Sequence, residues 1–189
     1  MLKTEKCAET VKNAVEALLQ TKLELKREEN ENCFSIEMPD VTLKSGDSAE
    51  FLIGVAGNTL TLMAHLTRLC HFRAEEVAET ACRINGEYNG IRFYISQKYV
   101  AAGSFAFIHP EYEGEAARLT RIITDFLMLL TAFGGELIEA NRMSEEEKQK
   151  RRDELFHRHM PSSTAGSEES DSSEVSESSA SFDFSLFDE

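Results

Sequence analysis

The chain has 189 residues, 41% of them apolar, and a formal net charge of −14, which fits one domain with a core of its own plus an extension. Residues 161–189 hold eight acidic residues and no Lys or Arg, and the rest is net acidic as well. Both parts repel phosphate backbones, which argues against nucleic acid as a direct ligand and suits solubility and basic partners.

Ala8, Val11, Val15, Leu18 and Leu19 recur at helical spacing, with Glu9, Lys12, Asn13 and Glu16 between them. This predicts an amphipathic helix over residues 4–21. Leu23 and Leu25 then alternate with Glu24 and Lys26, as a first strand or a frayed helix end. Phe34, Ile36 and Met38 alternate with Ser35 and Glu37, a half-buried strand that Pro39 ends. Residues 39–49 read as a loop with Gly46-Asp47 at its turn. A continuous apolar strand over 51–55, then Gly57-Asn58, then the alternating Leu60, Leu62, Ala64 and Leu66 predict a hairpin, because Gly and Asn tolerate the positive φ of tight turns.

Residues 74–88 carry the narrow stripe Val77, Ala81, Ile84 and Tyr88, with Glu75 and Glu76 favouring the start of a second helix. Ile91, Phe93 and Ile95 alternate with Arg92, Tyr94 and Ser96. A further run reaches Ile108, giving a second hairpin around Gln97-Lys98. Gly103-Ser104 within it reads as a bulge or a close packing point. Pro110 is placed at the first position of a third helix, where its missing N–H costs nothing. The apolar residues from Leu119 to Phe133 spread around most of that helix, and Gly134-Gly135 is expected to end or kink it. Ser144 followed by Glu147 is a capping-box pattern opening a charged helix. The Ser/Glu-rich stretch from 161 buries too little to offset its ordering entropy.

The domain organisation is therefore an α+β domain over 1–140, an antiparallel sheet flanked by helices in the order α-βββ(β)-α-ββ-α. A charged helix over 141–160 and a disordered acidic tail over 161–189 follow. The most apolar run, 126–133, is far short of the roughly 20 residues that span a bilayer, and the N-terminus has no apolar signal region. Cys7, Cys33, Cys70 and Cys82 include no C-x-x-C pair and read as small buried apolar residues of a reducing compartment. The expected location is cytoplasmic.

Within residues 78–107, Ile84-Asn85 ends a helix and Gly90-Ile91-Arg92-Phe93-Tyr94 opens a hairpin. This stretch resembles the YbjN family of bacterial regulators, whose fold is similar to that of class I chaperones of type III secretion. The resemblance covers about residues 5–135. A chaperone of that kind has three strands before its middle helix, where three or four are counted here, and the charged helix and tail lie outside the pattern. The resemblance implies a homodimer that holds or regulates another protein, such as an effector or regulator, without doing chemistry, and it supplies no catalytic residues.

No G-x-S-x-G and no Gly-rich phosphate loop occurs. Cys70 and His71 are adjacent, so on a strand they point to opposite faces, and structural zinc needs four convergent ligands. His157 and His159 fit the cationic end of a helix, and Glu75-Glu76 and residues 145–147 fit helix starts. No catalytic residue, metal or cofactor is expected. The alternatives are a small enzyme whose site is scattered in sequence and a structural subunit of a larger assembly. Two sets of residues are candidates for contacts. Ile122, Phe126, Leu129 and Leu130 cover more of the third helix than one core face needs, which marks a dimer interface. Phe182, Phe184, Leu186 and Phe187 are aromatic-rich where disordered tails are not, which marks a partner-binding element.

Overall fold

A computed structural model describes residues 3–28, 32–150 and 152. The chain divides into two units, 1–142 and 143–189. The first is α+β: helix α1 (Lys3–Leu19), strands β1 (Lys26–Arg27), β2 (Cys33–Glu37), β3 (Val41–Thr42), β4 (Ser48–Ala56) and β5 (Thr59–Arg68), a short 3₁₀ turn at His71–Arg73, α2 (Ala74–Glu87), β6 (Arg92–Ile95), β7 (Tyr99–Phe107) and α3 (Glu115–Asn141). All strand pairings are antiparallel, in the order β1-β2-β4-β5-β7-β6, with the two-residue β3 paired to the start of β4. Residues 39–49, expected as loop, thus contain β3 and the first residues of β4.

The β4–β5 hairpin turns at Gly57, whose φ of 60° is open to glycine at no steric cost. The strand alternation then sorts the residues. Ala49, Phe51, Ile53 and Val55 of β4 and Leu60, Leu62, Ala64 and Leu66 of β5 are all buried, on the face against which the helices pack.

Helix α3 lies at the centre of the helical layer and contacts α1, α2, β5 and β7. Its start is not at Pro110. The chain turns through residues 110–114, and Gly114 precedes the helix with φ 84°. Glu115 fixes this start. Its buried carboxylate accepts the backbone N–H of His109 (2.9 Å) and two bonds from the Arg118 guanidinium (2.8 and 2.6 Å), and Arg118 also donates to the carbonyl of Phe107. The Arg118 bonds hold the Glu115 carboxyl below the usual carboxylate range. A depressed folded value means that the unfolded chain binds the proton more tightly. The stabilisation is therefore present above about pH 4.3, the ordinary glutamate value, and is lost as pH falls through the folded value. Glu115→Gln is expected to lower stability at neutral pH and to flatten the acid limb of a denaturation-against-pH curve.

Gly134-Gly135 does not end α3, which continues to Asn141. The glycines mark close approach instead: a Cβ on Gly134 would meet Leu66 Cδ2 at 2.9 Å and both Leu43 methyls at 3.1 Å, and one on Gly135 would meet Ser45 at 2.8 Å. Gly134→Leu is expected to destabilise the domain by about 1–3 kcal/mol through overpacking, as read by urea denaturation.

Two asparagines close the sheet onto the helices. Asn85, in the last turn of α2, donates to the carbonyl of Phe93 (2.8 Å) and accepts its N–H (2.9 Å). Asn141, the last residue of α3, donates to the carbonyl of Arg68 (2.7 Å) and accepts the N–H of Cys70 (2.8 Å). Each side-chain amide supplies the paired bonds that a neighbouring strand would otherwise give. In the second unit, Ser144 and Glu147 form the expected capping box: the Ser144 N–H donates to Glu147 (2.8 Å) and the Glu147 N–H to the Ser144 hydroxyl (3.2 Å).

Candidate functional site: the open face of the sheet

The helices contact one face of the sheet, and side chains alternate, so every second strand residue lies on the other face. In register across the strands, one row on this face runs Glu37, Leu52, Met63, Gly103 and Arg92. The next runs Ser35, Gly54, Thr61 and Phe105, and the next Cys33, Ala56, Thr59 and Phe107. On the other side of the first row lie Glu50, His65, Ala101 and Tyr94.

Large apolar side chains stand exposed here. Phe105 is 73% exposed and Phe107 57%, with Tyr94 and Tyr99 more than a third exposed and Leu52 and Met63 half-buried. Isolated exposed apolar residues are ordinary, but a patch of them on one sheet face marks an interaction surface. Order within the patch is local. The His65 ring stacks on Tyr99 at 4.8 Å, and its Nδ1 lies 3.1 Å from Glu50 Oε2, so the imidazole is held between the two. The Tyr94 ring lies across Gly103, where a Cβ would meet its Cε1 at 3.1 Å. Phe107 stands beside the Arg118–Glu115 lock through its carbonyl.

The edge strand β6 is short, and Asn85 occupies the outward N–H and carbonyl of Phe93, which blocks strand addition at that residue. Arg92 donates to the carbonyls of Asn85 (3.0 Å) and Tyr88 (3.1 Å) at the end of α2. Recognition by the face of the sheet is therefore better supported than recognition by this edge.

The residues expected at a dimer interface on the third helix are placed differently. Phe126 and Leu130 are buried in the chain's own core, Phe126 stacked on Phe51 with ring centroids 5.5 Å apart. Ile122 and Leu129 are partly buried and pack against the same core. The helix is apolar nearly all round because α1, α2 and the sheet each take part of its circumference. Met128, 61% exposed, is the large apolar side chain it presents outward. Phe182, Phe184, Leu186 and Phe187 lie outside the described residues.

Among the described residues no three of His, Cys, Asp and Glu converge as metal ligands, and no helix is long and apolar enough to cross a membrane. The four cysteines are free thiols, Cys7 in the core and Cys82 exposed, and burial pushes the Cys7 thiol up. The exposed position of Cys82 departs from the expectation of buried cysteines.

The open face was not singled out from the sequence. A signal was present: Phe105 and Phe107 share the parity of Ala101 and Gly103, opposite to Val100 and Ala102 of the core. Bulky residues on both parities of one strand mean two apolar faces. Comparisons with protein-family models, with curated proteins and with solved structures find no match.

Proposed function

We propose that the chain is a non-enzymatic, cytoplasmic protein-binding module, chaperone- or regulator-like, which buries the open face of its sheet against another polypeptide surface. The observation that carries the reading is the patch of exposed Phe105, Phe107 and Tyr94, with half-buried Leu52 and Met63 beside them, on a sheet whose other face is filled by helices. Such a face loses water on association and gains specificity from the flanking Thr59, Thr61, His65 and Glu50. The resemblance of residues 78–107 to YbjN-type regulators and secretion chaperones agrees with a holding role. The C-terminal Phe182, Phe184, Leu186 and Phe187 are a second proposed contact element, supported by composition alone.

The test is recovery of bound protein by the tagged full chain and by the Phe105→Ser, Phe107→Ser double variant. Both positions are exposed, so the variant is expected to keep its far-ultraviolet circular dichroism while losing at least tenfold in recovery. Equal recovery from a folded variant would reject the face as the binding surface.

A further inference from the structure

We infer that the partner seated on the open face is a second copy of this chain, packed face to face about a two-fold axis that runs along β5. The inference rests on the reading of that face as a binding surface and names its occupant.

Size is the first argument. At ordinary rise and strand spacing, the nine- and ten-residue strands β4, β5 and β7 run about 30 Å, while the outer strands β2 and β6 have only five and four residues. Strand by strand the face covers about 600 Å², the lower end of the roughly 600–1,000 Å² that each partner of a stable complex buries.

Register is the second argument. β5 is the middle strand of these five, with β4 on one side and β7 on the other. A two-fold axis along β5 lays β7 of one copy over β4 of the other. The rows then match large residues to small. Phe105 shares a row with Gly54, and Phe107 shares a row with Ala56. In the pair, Phe105 of one copy stands over Gly54 of the partner subunit, and Phe107 over Ala56 of the partner subunit. Leu52, in the row of Gly103, falls against the Tyr94 ring that covers Gly103. Sheets packed in alignment are rotated by about 30°, so the match is closest where the two copies of β5 cross and loosens away from that point.

Gly54 is the third argument. A glycine within a strand weakens it and ordinarily marks a bulge or a close approach. Gly54 sits in regular pairing with both neighbours, outside the left-handed region, and a Cβ there would meet only Thr61 Cβ at 3.9 Å, an ordinary contact. Nothing within the chain requires a glycine. A phenyl ring arriving from above the sheet does.

The experiment is light scattering on the full chain at tens of micromolar, with circular dichroism and thermal melting as folding controls. The unmutated chain is expected at twice the chain mass. Gly54→Phe is expected to be a folded monomer, because a side chain starting at this Cβ meets only Thr61 in ordinary contact within the chain and would meet the ring of the partner's Phe105 in the pair. Gly54→Phe combined with Phe105→Gly moves the ring from one side of the contact to the other and is expected to restore the dimer. A monomer for the unmutated chain overturns the inference, as does a dimer that Gly54→Phe leaves intact in a folded protein. If the unmutated chain is a monomer and only the variant with Phe182, Phe184, Leu186 and Phe187 all changed to Ala dimerises, the C-terminal segment is the occupant and the second copy is not. If the chain is a monomer while Phe105→Ser, Phe107→Ser still abolishes recovery of another protein, the second copy falls and the binding face stands. If that double variant changes neither mass nor recovery, both fall.

Discussion

Phe126→Ala is expected to cost the domain about 3–5 kcal/mol, the usual range for deleting a buried phenyl ring. The side chain is 1% exposed, stacks on Phe51, and sits in the helix to which α1, α2 and the sheet all attach. Removing it takes apolar area out of the core and leaves a cavity between layers that cannot close without moving α3. A domain of this size is stable by about 5–15 kcal/mol, so the variant should melt well below the unmutated chain. Urea denaturation followed by circular dichroism measures the difference. A loss below about 1 kcal/mol would mean that Phe126 is not enclosed in the core as described.

Asn141→Ala is the second large effect, expected at about 2–4 kcal/mol from two backbone groups left without their partner. Asn141 is 7% exposed, and its amide meets both the Arg68 carbonyl and the Cys70 N–H. Its loss frees the end of β5 and the turn into α2 while leaving the β4–β5 hairpin paired. Amide exchange should therefore rise first at Leu69 to Arg73, ahead of the strand interior. Asn141→Asp keeps an acceptor for Cys70 and removes the donor to Arg68, so it should fall between the unmutated chain and the alanine variant. Equal stability of all three would mean that water satisfies these groups without help from Asn141.

Much of the fold was legible because burial on one side writes a period into the sequence. Leu60, Leu62, Ala64 and Leu66 show period two, Val77, Ala81 and Ile84 show helical spacing, and both elements lie where those patterns put them. The errors come from residues whose reason lies elsewhere in the chain. Gly134 looks like a helix terminator until Leu43 and Leu66 are packed against it. Pro110 looks like a helix start until Glu115, five residues on, is seen to bind Arg118 and the His109 N–H. Helix α3 looks over-supplied with apolar surface until α1 and α2 are docked on it. The Asn85 that carried the family resemblance is explained by the two bonds it makes to Phe93. The open face was hardest to read because its residues are spread over five strands. Gly54 and Phe105 are 51 positions apart in sequence and share a row only through pairing with Thr61.

The most direct test of the sheet face as the contact surface is site-specific photo-crosslinking in the full chain. A photoreactive side chain at Thr61, exposed on the middle strand, is compared with one at Arg121, on the outward side of α3. The expected result is a covalent adduct to a second polypeptide from Thr61 in high yield and little from Arg121. Adducts from Arg121 alone, or equal yields from both positions, would contradict it.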